Sequence, residues 1–121
     1  MFYYKVEVLR IVDGDTVDVR MDLGFNVWHK CRVRLLGINA PESRTRDLEE
    51  KARGLAAKSF LVDTLELAED VELQSYGTGK YGRVLGVFFN NGVNINELMV
   101  KEGHAVEYNG WNKDLTFINH S

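Results

Sequence analysis

The chain has 121 residues, of which 45% are hydrophobic and 27% are charged, and its formal net charge is −3. This length predicts one domain, residues 1–121, with a single core and no need for disulfides. No run of about 18 apolar residues occurs, which excludes a membrane-spanning helix. The single cysteine, Cys31, excludes an internal disulfide and a cysteine-rich zinc site.

The first residues, MFYYKVEVLRIV, alternate like a strand and lack the basic and apolar regions of a signal peptide. We therefore expect a cytoplasmic protein. The acidic net charge disfavours tight non-specific binding of nucleic acid by the chain as a whole. Residues 28–46 nevertheless form a local basic zone, and residues 47–72 form an acidic one. Either zone alone is typical of a solvated surface.

Alternating hydrophobicity predicts strands at residues 3–12, 16–22 and 26–36. In the third strand Cys31 and its apolar neighbours share one face, and the basic residues share the other. Residues 43–65 are predicted to be a helix, with Thr45 or Asp47 as the N-cap. The following positions recur at helical spacing and indicate its apolar face: Leu48, Ala52, Leu55, Ala56, Ser59 and Val62.

Two further strands are predicted at residues 71–76 and 83–89, followed by an Asn-Asn-Gly turn. A short helix is predicted at residues 95–102, with Asn94 as its N-cap and Gly103 just past its end. Three strands, a helix, two strands and a helix fit an α+β fold, a five-stranded barrel of the OB type, better than a βαβ sheet.

The segment GTGKYG, residues 77–82, has the glycine spacing of a dinucleotide-binding loop, but a strand follows it where that site needs a helix. Since Tyr81 follows Lys80, it is not a P-loop either. We interpret it as a loop between two strands. The scattered histidines, His29, His104 and His120, lack the spacing of a zinc site.

The segment VDGDTV places Asp13 and Asp15 at a strand–turn–strand junction, which fits a plain turn or a hard-cation site. Arg34 and Arg83, taken singly, fit ordinary surface charges. If they converge with Asp15 and Glu42, they form a phosphate site with a metal ligand, a base and two forked donors.

Four segments, in this order and spacing, resemble the staphylococcal nuclease (thermonuclease) family: DGDTVDV, VRLLGINAPE, KYGRVLG and NINELMVKEGHA. The resemblance covers roughly residues 5–108. It implies an OB-type barrel with packed helices. It also implies Ca²⁺-dependent hydrolysis of DNA and RNA that leaves 3′-phosphate and 5′-hydroxyl ends.

The resemblance also implies roles for individual residues. Asp15, Asn39 and the backbone carbonyl of Ala40 match the Ca²⁺ ligands, with Asp13 as a neighbouring acid that does not bind the ion directly. The remaining matches concern the substrate: Glu42 as general base, Arg34 and Arg83 on the phosphate, and Lys80 and Tyr81 on the nucleotide's terminal phosphate. Tyr108 is a rough match for a tyrosine that stacks on the nucleotide.

Asn39 departs from the best-known members, which have Asp there. Because the amide oxygen still coordinates Ca²⁺ but lacks a charge, we expect weaker Ca²⁺ binding with the chemistry retained. The short tail, residues 109–121, departs from the larger members. The acidic net charge and the lack of a secretion signal depart from the basic, secreted members and suggest an intracellular or phage-encoded enzyme. We expect a monomer that favours single-stranded DNA or RNA and binds no membrane. Another divalent cation remains an alternative to Ca²⁺, and a catalytically inactive OB module that binds nucleic acid or protein remains an alternative to the nuclease.

Overall fold

The computed structural model describes residues 2–66, 68–79 and 82–108 of the chain. Lys80, Tyr81 and the tail, for which the sequence made predictions, lie outside the described residues. The elements along the described residues are β1 (Phe2–Asp13), β2 (Thr16–Asp22), β3 (Trp28–Leu35), β4 (Ile38–Asn39), α1 (Leu48–Leu65), β5 (Val71–Thr78), β6 (Val84–Asn90), β7 (Val93–Asn94), α2 (Ile95–Lys101) and β8 (Val106–Glu107).

Five strands form a closed barrel in the order β3-β2-β1-β5-β6. Each neighbouring pair in that order is antiparallel. The barrel closes through a parallel pairing of β3 with β6, in which Val33 lies opposite Val84 and Leu35 opposite Gly86. The predicted α+β, OB-type five-stranded barrel is therefore confirmed.

The barrel interior holds the apolar faces that the alternation predicted. Val17 and Val19 of β2 and Val33 and Leu35 of β3 have no exposed surface. Full burial of one such side chain contributes about 1.5–3 kcal/mol to folding. Cys31 lies partly buried on the same face of β3, and burial raises the pKa of its thiol, as the neighbouring charge of Asp18 also does. Cys31 therefore packs against the core, and its thiol stays protonated.

Helix α1 differs from its prediction at its start. It begins at Leu48, five residues after the predicted start, with Asp47 as N-cap: the Asp47 carboxylate accepts hydrogen bonds from the backbone N–H groups of Glu49 and Glu50. Ser43 is not helical because its N–H and hydroxyl both donate to the Asp13 carboxylate. That contact depends on the fold and has no local signal.

The buried face of α1 also differs from the predicted one. The buried positions are Gly54, Ala57, Leu61 and Leu65, whereas Leu48 and Leu55 are 78% and 48% exposed. Both sets of residues have helical spacing, so periodicity alone did not distinguish them. The small residues at positions 54 and 57 let this side of the helix lie close to the barrel, so the predicted face points toward solvent.

Helix α2 begins at Ile95, as predicted, and ends at Lys101, one residue before the predicted end. The Asn94 side chain accepts a hydrogen bond from the N–H of Glu97 at 3.0 Å, and Gly103 follows the helix with φ +81°. The two-residue strands β4, β7 and β8 were not predicted, because two residues carry no period. No helix within the described ranges is long and apolar enough to cross a membrane.

Candidate active site

Two acids flank the turn between β1 and β2. Asp15 is 8% exposed, and both of its carboxylate oxygens accept hydrogen bonds, one from the Thr16 hydroxyl at 3.0 Å and one from the backbone N–H of Ala40 at 2.8 Å. The Asp13 carboxylate is occupied by Ser43. The turn is thereby fixed to the loop that follows β3.

Arg34 lies near the end of β3 and is held by several acceptors. Its Nη1 donates to the backbone carbonyls of Leu35 and Ile38, each at 2.9 Å. Its Nη2 lies 3.3 Å from the side-chain oxygen of Asn39 and 3.6 Å from a carboxylate oxygen of Asp15. The guanidinium is therefore fixed between two of the predicted metal ligands before any substrate arrives.

One cavity of about 300 Å³ is lined by residues from the junction of β1 and β2, from β3 and β4, from the segment between β4 and α1, and from the segment before β6. The lining residues are Asp13, Asp15, Thr16, Arg34, Asn39, Ala40, Glu42, Arg44 and Arg83. The structure therefore brings together seven residues that the sequence singled out at widely separated positions.

The barrel closure accounts for the meeting of the two predicted phosphate-binding arginines. In the parallel pairing, Arg34 of β3 lies opposite Leu85 of β6, and Arg83 comes just before β6. The pairing of Ile38–Asn39 with Val106–Glu107 holds the other side of the loop after β3. Long-range strand pairing therefore assembles the cavity.

The donor atoms at the cavity suit a hard cation. Asp15 offers a carboxylate, Asn39 an amide oxygen and Ala40 a backbone carbonyl, and oxygen ligands are those that Ca²⁺ and Mg²⁺ prefer. Across the described residues no group of three or more His, Cys, Asp or Glu side chains could hold a metal ion. A cation held here would therefore depend on neutral oxygens, and Asn39 would have to share its oxygen with Arg34.

The cavity lining balances three acids against three arginines. One of these arginines, Arg44, was noted only as part of the basic zone and was not predicted as a site residue. Its position two residues after Glu42 was the only local signal. Thr16, which orients Asp15, was also missed, because a threonine that opens a strand needs no functional explanation.

Tyr108 lies at the edge of this site. The guanidinium carbon of Arg34 is 5.8 Å from the centre of its ring, and the backbone N–H of Tyr108 donates to the carbonyl of Gly37 at 2.8 Å. Tyr108 is 42% exposed, so a base has room to approach it. His104, in contrast, stacks on Phe60 with ring centres 4.7 Å apart and serves packing.

Comparison with known protein families gives a direct match. The family model described as "Staphylococcal nuclease homologue" matches residues 32–119, which is most of the chain.

Individual relatives agree with the family match. The chain is 35% identical over 119 residues to a protein named micrococcal nuclease from Shigella flexneri, covering 91% of this chain and 62% of that protein. It is 33% identical over 108 residues to an uncharacterized endonuclease of Escherichia coli, covering 88% and 63%, respectively. An uncharacterized protein of Bacillus anthracis is 39% identical over 105 residues, 84% of this chain and 46% of the relative. The chain thus spans about half to two thirds of the length of these relatives, and it belongs to the staphylococcal nuclease family.

Proposed function

We propose that this chain is a Ca²⁺-dependent nuclease that hydrolyses phosphodiester bonds of DNA and RNA and leaves 3′-phosphate and 5′-hydroxyl ends. The observation that carries the proposal is the shared cavity. An oxygen donor set, an acid suited to act as a base and two arginines line the same 300 Å³ space. The nuclease names of the relatives support the same reaction class.

Glu42 is the proposed general base. Its side chain is exposed and lines the cavity, so it can accept a proton from a water molecule there. Attack by that water forms a new P–O bond while the bond to the 5′ oxygen breaks. The departing 5′ oxygen takes up a proton and becomes a hydroxyl, and the phosphate stays on the 3′ oxygen.

Arg34 and Arg83 are the proposed phosphate ligands. Negative charge grows on the phosphoryl oxygens during the attack, and fixed guanidinium groups stabilise it. Arg34 suits this role because its Nη1 is already held by two backbone carbonyls, so little reorganisation is needed.

Asp15, Asn39 and the carbonyl of Ala40 are the proposed cation ligands, and Asp13 is a neighbouring acid. When bound, the cation supplies positive charge beside the phosphoryl oxygens. Mg²⁺ or Mn²⁺ in place of Ca²⁺ is the alternative that the oxygen donors leave open.

The proposed substrate is a single strand, because the open face of an OB barrel accommodates unpaired nucleotides. Tyr108 is proposed to stack on a base, and Lys80 and Tyr81 are proposed to touch the nucleotide's terminal phosphate. The acidic net charge predicts weak substrate binding that falls as salt rises. The cytoplasmic location and the monomeric state stay predictions.

A module that binds nucleic acid or protein without cleaving is the second candidate. The contact of Asn39 with Arg34 favours it, because a neutral ligand shared with an arginine weakens a cation site. The presence of Glu42, Arg34 and Arg83 around one cavity disfavours it, since binding alone needs no base.

The test is digestion of end-labelled single-stranded DNA and RNA by the purified chain across a Ca²⁺ titration, with Mg²⁺, Mn²⁺ and EDTA in parallel. We expect cleavage with Ca²⁺ and none with EDTA. The fragments should carry a 3′-phosphate, which a phosphatase removes. Binding without cleavage under every metal would instead establish the second candidate.

A further inference from the structure

Helix α1 lies against the backbone of Glu42. A Cβ atom added to Gly54 would lie 2.2 Å from the carbonyl oxygen of Glu42, 2.4 Å from its carbonyl carbon and 2.7 Å from the backbone nitrogen of Ser43. Real Cβ atoms essentially never come so close, and because the opposing atoms are backbone, no side-chain rotation relieves the contact. Gly54 is not among the glycines with positive φ. It is therefore required for space and not for its backbone conformation.

Two carboxylates hold the same segment from other directions. Oδ1 of Asp13 accepts hydrogen bonds from the backbone N–H of Ser43, at 3.3 Å, and from its hydroxyl. Oε2 of Glu50, in the first turn of α1, accepts a hydrogen bond from the backbone N–H of Glu42 at 3.3 Å. The backbone of Glu42 is thus fixed on three sides while its side chain stays exposed toward the cavity.

The same face of α1 also touches the acidic turn. A Cβ on Gly14, between Asp13 and Asp15, would lie 2.7 Å from the Cβ of Ala57. Gly54 and Ala57 are three residues apart on one face of the helix, so one rigid element contacts both acid-bearing segments. The distance between those two segments then depends on how closely α1 can approach.

We infer that helix α1, through Gly54 and Glu50, and Asp13 at the end of β1 together position Glu42 for catalysis. The inference rests on the proposed function, in which Glu42 is the base. It also assigns Asp13 a different action: Asp13 works through Ser43 on the Glu42 loop and not through its charge near a cation.

The first test is Gly54→Ala, measured as kcat and KM for a single-stranded oligonucleotide. Alanine favours helix over glycine, so the change does not weaken α1 itself. Displacement of a catalytic group by about 1 Å costs on the order of 100-fold in rate, so we expect kcat to fall roughly 10- to 100-fold with KM little changed. Leu61→Ala is the matched control: Leu61 is fully buried on the same helix, and its loss lowers stability without moving kcat below the melting temperature.

A double-mutant cycle separates positioning from general destabilisation. In a Glu42→Gln background the base is already absent, so Gly54→Ala should cause no further loss of rate. A further 10-fold loss there would show that Gly54 does not act through Glu42, and would overturn the inference.

Asp13 provides a second arm of the test. Asp13→Asn keeps an oxygen that can accept from Ser43 but removes the charge, whereas Asp13→Ala removes both. Positioning predicts a clearly smaller loss of kcat in Asp13→Asn than in Asp13→Ala. Equal losses in the two variants, with a raised Ca²⁺ requirement, would show that Asp13 acts by its charge.

One readout does not depend on activity. Backbone amide resonances of Glu42 and Ser43 should shift in Gly54→Ala and stay in place in Leu61→Ala. If the wild-type chain cleaves no substrate, the proposed function fails while these shifts still decide whether α1 sets the loop. Unmoved resonances would overturn the inference even in an active enzyme.

Discussion

Asn39 combines two functions at one side-chain oxygen. That oxygen is a proposed cation ligand and also accepts a hydrogen bond from Arg34 at 3.3 Å. A carboxylate in its place adds a negative charge to the donor set, and affinity for Ca²⁺ rises with the charge of the ligands.

We therefore predict that Asn39→Asp lowers the Ca²⁺ concentration needed for half-maximal cleavage, while Asn39→Ala raises it. The measurement is a Ca²⁺ titration of initial rates for the three proteins at fixed ionic strength. An unchanged Ca²⁺ requirement in Asn39→Asp would mean that residue 39 does not contact the cation.

The arginines carry a prediction of transition-state stabilisation. Arg34→Ala and Arg83→Ala should each reduce kcat by roughly 100-fold or more, about 3 kcal/mol, which is the usual cost of removing one preorganised charge donor. Arg46→Ala is the control, because Arg46 is exposed and does not line the cavity. Melting curves should accompany the rates, since Arg34 also binds two backbone carbonyls. Losses that appear only in KM would assign the arginines to substrate binding alone.

The sequence identified these residues one by one but not their meeting. The side-chain types of Asp15, Glu42, Arg34 and Arg83 suit a phosphate site if they converge, and the family resemblance implied their individual roles. The β3–β6 closure brings Arg34 and Arg83 together, and the hydrogen bonds of Asp15 to Ala40 and of Asp13 to Ser43 bring the acids to the same place; no local pattern records these contacts. The contact of Gly54 with Glu42 was also not predictable from the sequence, because a glycine inside a helical pattern indicates only a weaker helix.

An ion pair between β2 and β3, Asp18 with Arg32, makes the stability of the protein depend on pH. Arg32 donates two hydrogen bonds to Asp18, at 2.8 and 3.1 Å. This hydrogen bonding lowers the pKa of Asp18, burial opposes it, and the positive charge of Arg32 adds to it. Because the folded pKa is below the unfolded one, the pair stabilises the protein above the unfolded pKa and the stabilisation is lost as pH falls through the folded pKa.

We predict that Asp18→Asn lowers the free energy of unfolding by about 0.5 kcal/mol near neutral pH, since both partners are partly exposed. The difference between the two proteins should vanish in strong acid. Urea denaturation of both across the acidic range checks this. A difference that stays constant with pH would show that charge pairing is not its cause.

Hydrophobic periodicity predicted the strands of this chain well and the buried face of α1 poorly. Strands with one buried face were predicted closely, because Val17, Val19 and Val33 alternate with polar residues. The face of α1 was predicted wrongly because two apolar stripes overlap on that helix. The stripe that contains Gly54 and Ala57 is the buried one, because only small residues let α1 lie this close to Glu42 and to the turn at Gly14.

At the scale of the whole molecule, one buried side chain joins the barrel closure to α2. Asn96 is 3% exposed, and its amide donates to the carbonyls of Leu36, at 2.9 Å, and Gly86, at 3.1 Å. Its oxygen accepts from the N–H of Phe88 at 3.1 Å. Asn96 therefore satisfies backbone groups of β6 and of Leu36, the residue directly after β3.

We predict that Asn96→Ala lowers the free energy of unfolding by about 3 kcal/mol, because the carbonyl of Leu36 and the N–H of Phe88 lose this partner, at about 1–3 kcal/mol for each buried group. The carbonyl of Gly86 still accepts a hydrogen bond from the N–H of Leu36 at 2.8 Å. Urea denaturation measures it. Lys101→Ala, an exposed change on the same helix, should alter stability by less than about 0.5 kcal/mol. A loss below about 1 kcal/mol in Asn96→Ala would mean that water replaces the amide.

In the proposed reaction, Glu42 activates the water that attacks the phosphodiester. The most direct measurement is single-turnover cleavage of a single-stranded DNA oligonucleotide by the wild type and by Glu42→Gln at saturating Ca²⁺, with substrate binding measured on the same samples. We predict that Glu42→Gln binds the oligonucleotide as the wild type does and cleaves it roughly 100- to 10,000-fold more slowly, the range expected when a general base is lost. Cleavage by Glu42→Gln at the wild-type rate would show that Glu42 is not the general base.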